Sequence, residues 1–274
     1  EVTQACDLEC DHCRADARPD RDPAELTTEE GKALIDRIAA FGSPAPILVV
    51  SGGDPLKRPD LFELLEYADG NSIRTGVTPA PTDELTPAVL DRFDELGVHR
   101  IALSLDGATA DRHDSFRGER GSFETIRRAA AHAREIGLPI QINTTVTANT
   151  VGDLPAIADL VEQLGAVMWE VFFLVPIGRG SELEQLTPQR AERTLEWLYR
   201  RQRQANFRLI TVEAPHYRRI ARTVERQEGG RPPRVGTTGD GRGFVFVSHT
   251  AEIYPSGSLP VSAGHVRTDD LVST

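Results

Sequence analysis

The chain has 274 residues and a formal net charge of −11, with 31 Lys and Arg residues against 42 Asp and Glu residues. This acidic balance argues against nucleic-acid binding through a basic surface. No apolar run reaches the roughly 18 residues of a membrane span, and no secretory signal opens the chain, so we expect a cytoplasmic protein with no membrane partner. Because the chain begins without Met inside an apparent strand and ends without a helix stop, we expect it to be a fragment of a longer protein.

Short β-rich runs alternate with amphipathic stretches along most of the chain. The predicted strands are 47–50, 73–78, 100–106, 139–146, 169–176 and 207–213. The predicted helices are 28–40, 59–69, 87–96, 122–136, 153–164 and 188–205. Thr27 with Glu30 matches a capping box, and Thr86 and Thr187 each precede a proline, which is the order of an N-cap before the first helical position.

Strand followed by helix, repeated about six times, predicts parallel strands joined by right-handed crossovers. Periodicity alone leaves a doubly wound sheet and a barrel as alternatives. The residues 229–242 are rich in Gly, Pro and Arg, and we predict that they form a linker. Beyond them, 243–248 and 252–255 alternate like a hairpin turned at 249–251, which predicts a small β element at the end of the chain.

The three cysteines, Cys6, Cys10 and Cys13, lie within eight residues of each other. They cannot form a disulfide framework, and clustered thiols in a reducing compartment indicate metal or redox chemistry. One loop with this spacing can wrap a cuboidal iron–sulfur cluster, and three ligands rather than four leave one iron open for catalysis. The alternative is a zinc site with His12 as fourth ligand, although its position beside Cys13 makes that geometry awkward.

A glycine turn with the sequence Ser-Gly-Gly-Asp-Pro follows the first predicted strand at 51–55. Gly52 and Gly53 allow a ligand to approach the backbone closely, and the carboxylate of Asp54 suits an ammonium group. The alternative is a tight turn followed by an acidic helix cap. The turn is therefore a candidate binding segment, and a purely structural role as a turn and helix cap stays open.

The cysteine spacing together with this glycine turn resembles the radical SAM superfamily, whose members use S-adenosylmethionine (SAM). The resemblance covers residues 1 to about 215 and continues through the segments 104–107, 113–114, 116–118, 141–144 and 175–180. Within the superfamily the chain most resembles the branch with a C-terminal SPASM-type extension. That branch includes peptide-maturing enzymes and enzymes that process haem side chains.

The resemblance implies an α/β fold: a partial (β/α)6 barrel of the TIM type over residues 1–228, a linker over 229–242, and a truncated SPASM-like β extension over 243–274. A 4Fe-4S cluster and SAM would lie at the C-terminal ends of the strands, where barrel active sites lie. One electron from the reduced cluster would cleave SAM to methionine and a 5'-deoxyadenosyl radical, which takes hydrogen from the substrate. An electron donor such as ferredoxin or flavodoxin would be the partner.

The resemblance also assigns individual residues. Cys6, Cys10 and Cys13 would ligate iron, and no catalytic residue is implied beyond the cluster. The implied SAM contacts are Gly52, Gly53, Asp54, Pro55, Ser104, Asp106, Asn143, Val175, Pro176 and His12. Ordinary alternatives stand beside them: a turn-forming role for the polar residues of this set, and barrel core for the apolar pair at 175–176. The family usually has Glu where this chain has Asp54.

Two further segments have open interpretations. The basic glycine loop at 178–180 could face a phosphate or a substrate carboxylate. His113, Asp114 and Arg117 are predicted to lie in a loop after a strand, where they either anchor substrate or cap the next helix.

The chain departs from the SPASM branch because it has no cysteine after Cys13, and Ser256 stands where a cysteine is often found. A serine hydroxyl is a poor iron ligand. This departure favours a tetrapyrrole side chain as the substrate, with a ribosomally made peptide as the second candidate. The alternative from another class is a non-catalytic metal-binding or regulatory barrel that holds zinc, or a cluster that does not cleave SAM.

Overall fold

Six parallel strands form one sheet in the order in which they occur in the chain. A computed structural model describes residues 1–230 and 243–272. The strands are β1 (Leu48–Val50), β2 (Thr75–Val77), β3 (Arg100–Ser104), β4 (Ile140–Val146), β5 (Met168–Phe173) and β6 (Arg208–Val212). A doubly wound sheet reverses its strand order at a switch point, whereas consecutive right-handed crossovers place every helix on one face and curl the sheet. The predicted partial (β/α)6 barrel is therefore confirmed.

The described residues contain eight helices. They are α1 (Thr28–Ala39), α2 (Leu61–Gly70), α3 (Pro87–Glu95), α4 (Ala110–Arg117), α5 (Ser122–Ile136), α6 (Leu154–Leu164), α7 (Pro188–Gln202) and α8 (Tyr217–Glu228). Of these, α2, α3, α5, α6, α7 and α8 contribute side chains to the main hydrophobic core. The side chains of Ile101, Ile142 and Trp169 belong to the main hydrophobic core and are completely buried. Side chains alternate between the two faces of a strand, so the residues next to each of these three in sequence face the concave side of the sheet.

The predicted helix caps are present. The side chain of Thr27 accepts a hydrogen bond from the backbone N–H of Glu30, and the side chain of Glu30 accepts one from the backbone N–H of Thr27, so the capping box is complete. Thr86 and Thr187 each cap a helix that begins at the following proline. The six predicted helices agree with the structure within a few residues, and α7 ends at Gln202 rather than at 205.

Two helices, α4 and α8, were not predicted. The expectation of a loop around residues 113–117 was wrong, because these residues form the second half of α4. Thr109 caps this helix by accepting from the N–H of Arg112. Its sequence is almost entirely polar, so no apolar period marked it.

The N-terminal segment lies beside β1 without forming a strand of the sheet. The N–H of Val2 donates to Ser51 O at 2.7 Å, and the N–H of Gly53 donates to Thr3 O at 2.9 Å. A Cβ at Gly52 would lie 2.3 Å from Thr3 O, which no side chain can occupy. The glycine turn therefore brings two backbones together and places the cysteine loop at the C-terminal end of β1.

A small antiparallel sheet follows near the end of the chain, with strands β7 (Phe246–Val247), β8 (Glu252–Tyr254) and β9 (Gly264–His265). The predicted hairpin is confirmed, and β9 adds a strand that was not predicted. Ile253 packs with Leu26 and Leu34 against the barrel. Most of the predicted linker, 231–242, lies outside the described residues. Among the described residues, no helix is both long and apolar enough to cross a membrane.

Candidate metal centre

The three cysteines pack together in one small cluster with Leu8 and Ala17. Cys6 and Cys10 are buried and Cys13 is half-buried. The loop that carries them passes over the C-terminal ends of the strands, where Asp54 N donates to the carbonyl oxygen of Ala5 at 2.6 Å. The structure thus brings together, in one place, the three residues that the sequence predicted as iron ligands.

Each cysteine sulfur receives one N–H donor. The backbone N–H of Leu8 donates to Cys6 Sγ at 3.4 Å, and the backbone N–H of Ala17 donates to Cys13 Sγ at 3.4 Å. Cys10 Sγ receives its donor from the side chain of Arg117, at 3.6 Å. Such hydrogen bonds stabilise negative charge on thiolate sulfur and are among the features that tune iron–sulfur centres.

Burial disfavours the thiolate form of Cys6 and Cys10 when no metal is bound. Burial raises the pKa of Cys6 to about 12. Burial also raises the pKa of Cys10, and the guanidinium of Arg117 opposes that rise. Because a metal binds thiolates, binding must release the thiol protons, and affinity will rise with pH.

The donor set fits an iron–sulfur cluster. Within the described residues, no three His, Cys, Asp or Glu side chains form a group placed to hold one metal ion. In a cuboidal cluster each thiolate binds a different iron, so the three sulfurs need to surround a volume rather than converge on a point. Cys6, Cys10 and Cys13 would hold the cluster.

His12 lies within the cysteine loop, and its side chain stacks on an aromatic ring. Its imidazole stacks on Phe116 with ring centroids 4.6 Å apart and planes 7° apart. Burial lowers the pKa of His12 to about 4, so the ring is neutral at physiological pH. Its buried Nδ1 atom has no hydrogen-bond partner among the described residues. A neutral ring with a free nitrogen is compatible with either stacking on a nucleobase or ligating a metal, so both interpretations of His12 stay predictions.

Arg117 connects the cysteine loop to the end of β3. Its Nη2 atom lies 2.5 Å from Asp106 Oδ2, an ion pair between two buried side chains. The other carboxylate oxygen of Asp106 accepts from the N–H of Thr145 at 2.6 Å. Both oxygens of the predicted SAM contact Asp106 are therefore used within the protein, and its proposed role toward SAM stays a prediction.

His113 supports the same strand end from α4. Its Nδ1 atom accepts from the backbone N–H of Asp106 at 3.1 Å, which places the ring proton on Nε2. Burial lowers the pKa of His113 to about 4 and keeps the ring neutral. Asp114 accepts from the backbone N–H groups of Gly121 and Phe123, so it organises the start of α5. Of the two interpretations of this motif, the structure shows the helix-capping one for Asp114.

Arg179, in the basic glycine loop, holds the cysteine loop. Its Nε atom donates to Cys10 O at 2.9 Å and its Nη1 atom donates to Ala17 O at 3.0 Å. Its own backbone N–H donates to Cys13 O at 3.0 Å. The sequence suggested a phosphate or a substrate carboxylate as the partner of this guanidinium. In the structure it donates to carbonyl oxygens of the protein instead.

Asp54 is an internal cap. Its Oδ1 atom accepts from the N–H groups of Leu56 and Ala80, at 3.1 and 3.2 Å, and its Oδ2 atom accepts from the hydroxyl of Thr82 at 3.2 Å. The residue has no exposed surface, and burial raises the pKa of its carboxyl. The alternative of an acidic helix cap is thus present in the structure, and direct contact with the SAM ammonium stays a prediction.

A polar row crosses the concave face of the barrel. Ser104 is in register with Asn143, which is in register with Glu170 on the next strand. Gln141 donates to Asn143 Oδ1 at 2.7 Å and also bonds Glu170, and burial raises the pKa of Glu170. Sequence reasoning missed Glu170, although an acidic residue between the core residues at 169 and 171 was a visible signal.

The remaining predicted contacts lie just beyond β5. Val175 is half-buried and Pro176 is exposed, and neither belongs to the main hydrophobic core. The alternative that this pair fills the barrel core does not describe the structure. Pro55 is buried at the start of the short 3-10 helix that Asp54 caps. Contact of these residues with the adenine or the methionine part of SAM stays a prediction.

Relatives resemble this chain over most of its length. An AdoMet-dependent heme synthase of Methanosarcina barkeri is 39% identical over 97% of this chain and 78% of its own length. The mycofactocin maturase MftC of Mycobacterium tuberculosis is 33% identical over 67% of this chain and 46% of its own length.

A solved structure shares the fold. The crystal structure of Streptococcus suis SuiB bound to S-adenosylmethionine superposes with a TM-score of 0.75 at 17% identity, over 99% of this chain and 63% of that one. The chain thus spans less than two thirds of that structure. Residues 1–161 match the sequence family described as the radical SAM superfamily. With its cysteine loop above the strand ends of a partial barrel, the chain belongs to the radical SAM superfamily.

Proposed function

We propose that this chain is the core of a radical SAM enzyme that abstracts hydrogen from a tetrapyrrole side chain. When bound, the 4Fe-4S cluster supplies the electron that cleaves SAM to methionine and a 5'-deoxyadenosyl radical. Cys6, Cys10 and Cys13 hold the cluster, and their N–H donors stabilise the thiolate charge. The polar row of Ser104, Asn143 and Glu170 lies on the concave face, where SAM or substrate would bind.

The length of the match to a heme synthase favours a tetrapyrrole as the substrate. The match to the heme synthase covers 97% of this chain, whereas the match to the mycofactocin maturase covers 67%. The longer match must include most of the small sheet formed by β7, β8 and β9. A peptide remains the second candidate, because a maturase is also a relative. The absence of any cysteine after Cys13 in this sequence also favours the tetrapyrrole.

The proposal includes a cytoplasmic location and an external electron donor. The cluster must receive its electron at low potential, so ferredoxin or flavodoxin is the expected class of donor. The net charge of −11 supports a role that involves no nucleic acid.

The test is anaerobic reconstitution followed by reduction with dithionite in the presence of SAM. We expect 5'-deoxyadenosine by chromatography and a mass change in an iron porphyrin that carries propionate side chains. Cys10→Ala is the control and should yield neither. Turnover of SAM with no change in the porphyrin, but with change in a peptide, would favour the second candidate. Stoichiometric zinc without iron would contradict the enzyme and favour the non-catalytic barrel.

A further inference from the structure

Arg117 occupies a singular position among the residues around the cysteines. Its Nη1 atom lies 3.6 Å from Cys10 Sγ and its Nη2 atom lies 2.5 Å from the carboxylate of Asp106. Only 8% of the residue is exposed. A guanidinium keeps its charge at every physiological pH, so a fixed cation lies beside a predicted iron ligand.

The other two sulfurs are treated differently. Cys6 and Cys13 receive backbone N–H groups, which are neutral dipoles and which every substitution except one to proline retains. Cys10 alone of the three receives a charged donor from a side chain. The three ligands are therefore not electrostatically equivalent, and the difference depends on one replaceable residue.

We propose that the positive charge of Arg117, which lies beside Cys10, raises the reduction potential of the cluster. This inference rests on the proposed function. Reduction adds one electron to the cluster and makes its net charge one unit more negative, with no bond made or broken. A nearby cation stabilises the more negative state, and hydrogen bonds to the sulfurs act in the same direction. The reduced cluster is the form that cleaves SAM, so Arg117 makes that form easier to reach.

Asp106 controls how strongly this cation acts. Its carboxylate faces the guanidinium from β3 and is itself held by the N–H of Thr145. The ion pair fixes the direction of the guanidinium and neutralises part of its charge. Removing the negative charge of Asp106 while keeping its shape should therefore shift the cluster potential in the direction opposite to removal of Arg117.

The experiment is a dithionite titration of the reconstituted protein, without SAM or substrate, followed by electron paramagnetic resonance. For Arg117→Met we expect the ratio of reduced to oxidised cluster at a fixed potential to fall about tenfold, which corresponds to a midpoint about 59 mV lower for one electron. Arg117→Lys keeps the charge and should recover part of the shift. Asp106→Asn should shift the midpoint to a higher value.

Arg112→Met is the matched control. Arg112 lies on the same helix but pairs with Asp153 at the surface, away from the cysteines. Its substitution should leave the midpoint unchanged. A shift as large as that of Arg117→Met would show a general effect of α4 and overturn the proposal.

Iron content separates the remaining outcomes. If Arg117→Met binds full iron and has the wild-type midpoint, the inference is wrong while the proposed function stands. If Arg117→Met and Arg117→Lys both lose iron, and Asp106→Asn binds iron with an unshifted midpoint, Arg117 serves assembly only and the inference again fails. If the wild-type protein itself takes up no iron, the proposed function fails first.

Discussion

The backbone of Gly178 lies directly against the carbonyl oxygen of Cys13. A Cβ at this position would lie 2.4 Å from Cys13 O, and the residue has a φ of +54°. The loop after β5 therefore touches the cysteine loop, with no room for a side chain between the two backbones.

Gly178→Ala should displace the cysteine loop. Left-handed backbone costs about 1 kcal/mol for Ala, and the contact with Cys13 O must also be relieved by movement. We expect loss of most of the bound iron, measured after reconstitution. Gly137→Ala is the control, since Gly137 has a φ of +83° but nothing within 4 Å of the added Cβ. Equal iron loss in both variants would contradict the role of the contact.

Arg179→Met should destabilise the same cysteine loop by removing side-chain hydrogen bonds. Arg179 donates to Cys10 O and Ala17 O, and loss of these bonds should lower the free energy of unfolding by about 1 to 3 kcal/mol. Denaturant unfolding under anaerobic conditions measures the change. Arg190→Met removes one carbonyl hydrogen bond at the surface, to Ala148, and should cost much less. Comparable losses in the two variants would show that Arg179 has no special role.

Substitution of Asp54 separates its two interpretations. Because burial raises the pKa of this carboxyl, its ionised form is disfavoured in the folded state, and the protein loses stability as pH rises through that pKa. Asp54→Asn keeps an oxygen for the N–H groups of Leu56 and Ala80 and should remove this pH dependence. We expect it to bind SAM with little change, measured by equilibrium dialysis, whereas Asp54→Ala should lose stability. A large loss of SAM affinity in Asp54→Asn alone would instead support contact with the ammonium.

His113 should make the protein sensitive to mild acid. Its pKa in the folded protein is about 4 against an ordinary value of 6.5, so the unfolded chain binds the proton first as pH falls. Stability from this residue is complete above pH 6.5 and is lost between there and pH 4, by up to about 3 kcal/mol.

His113→Asn tests this expectation, because its oxygen can accept from the N–H of Asp106 while the titrating ring is gone. The fall in unfolding free energy between pH 7 and pH 5 should be shallower in the variant than in the wild-type protein. The same slope in both proteins would mean that other groups cause the acid sensitivity.

The barrel could be predicted from the sequence because its signals are local. Helix α5 was predicted with both ends correct, and the caps at Thr27, Thr86 and Thr187 are contacts over three residues. Helix α4 was missed because its position depends on burial of Phe116 and Arg117 rather than on an apolar face of its own. Local sequence patterns could not predict this helix, because the contacts that bury its side chains come from the distant cysteine loop.

The clustering of the three cysteines could also be predicted, but their surroundings could not. Arg117 donates to Cys10 across 107 residues of sequence, and Arg179 donates to Cys10 O across 169. The sequence predicted a phosphate or a substrate carboxylate as the partner of Arg179, and either a substrate or a helix end as the partner of Arg117. The structure shows that both arginines bind the protein itself, and only the three-dimensional arrangement reveals which carbonyl or sulfur each one meets.

The most distant of these contacts joins Arg14 to the small C-terminal sheet. Its guanidinium donates to Gly257 O at 3.1 Å, 243 residues later in the chain, and lies 4.8 Å from the ring centroid of Phe246. During synthesis the three thiols therefore leave the ribosome long before the residues that shape their loop exist. The contact between Arg14 and the small C-terminal sheet can form only after residue 257 has been added to the chain.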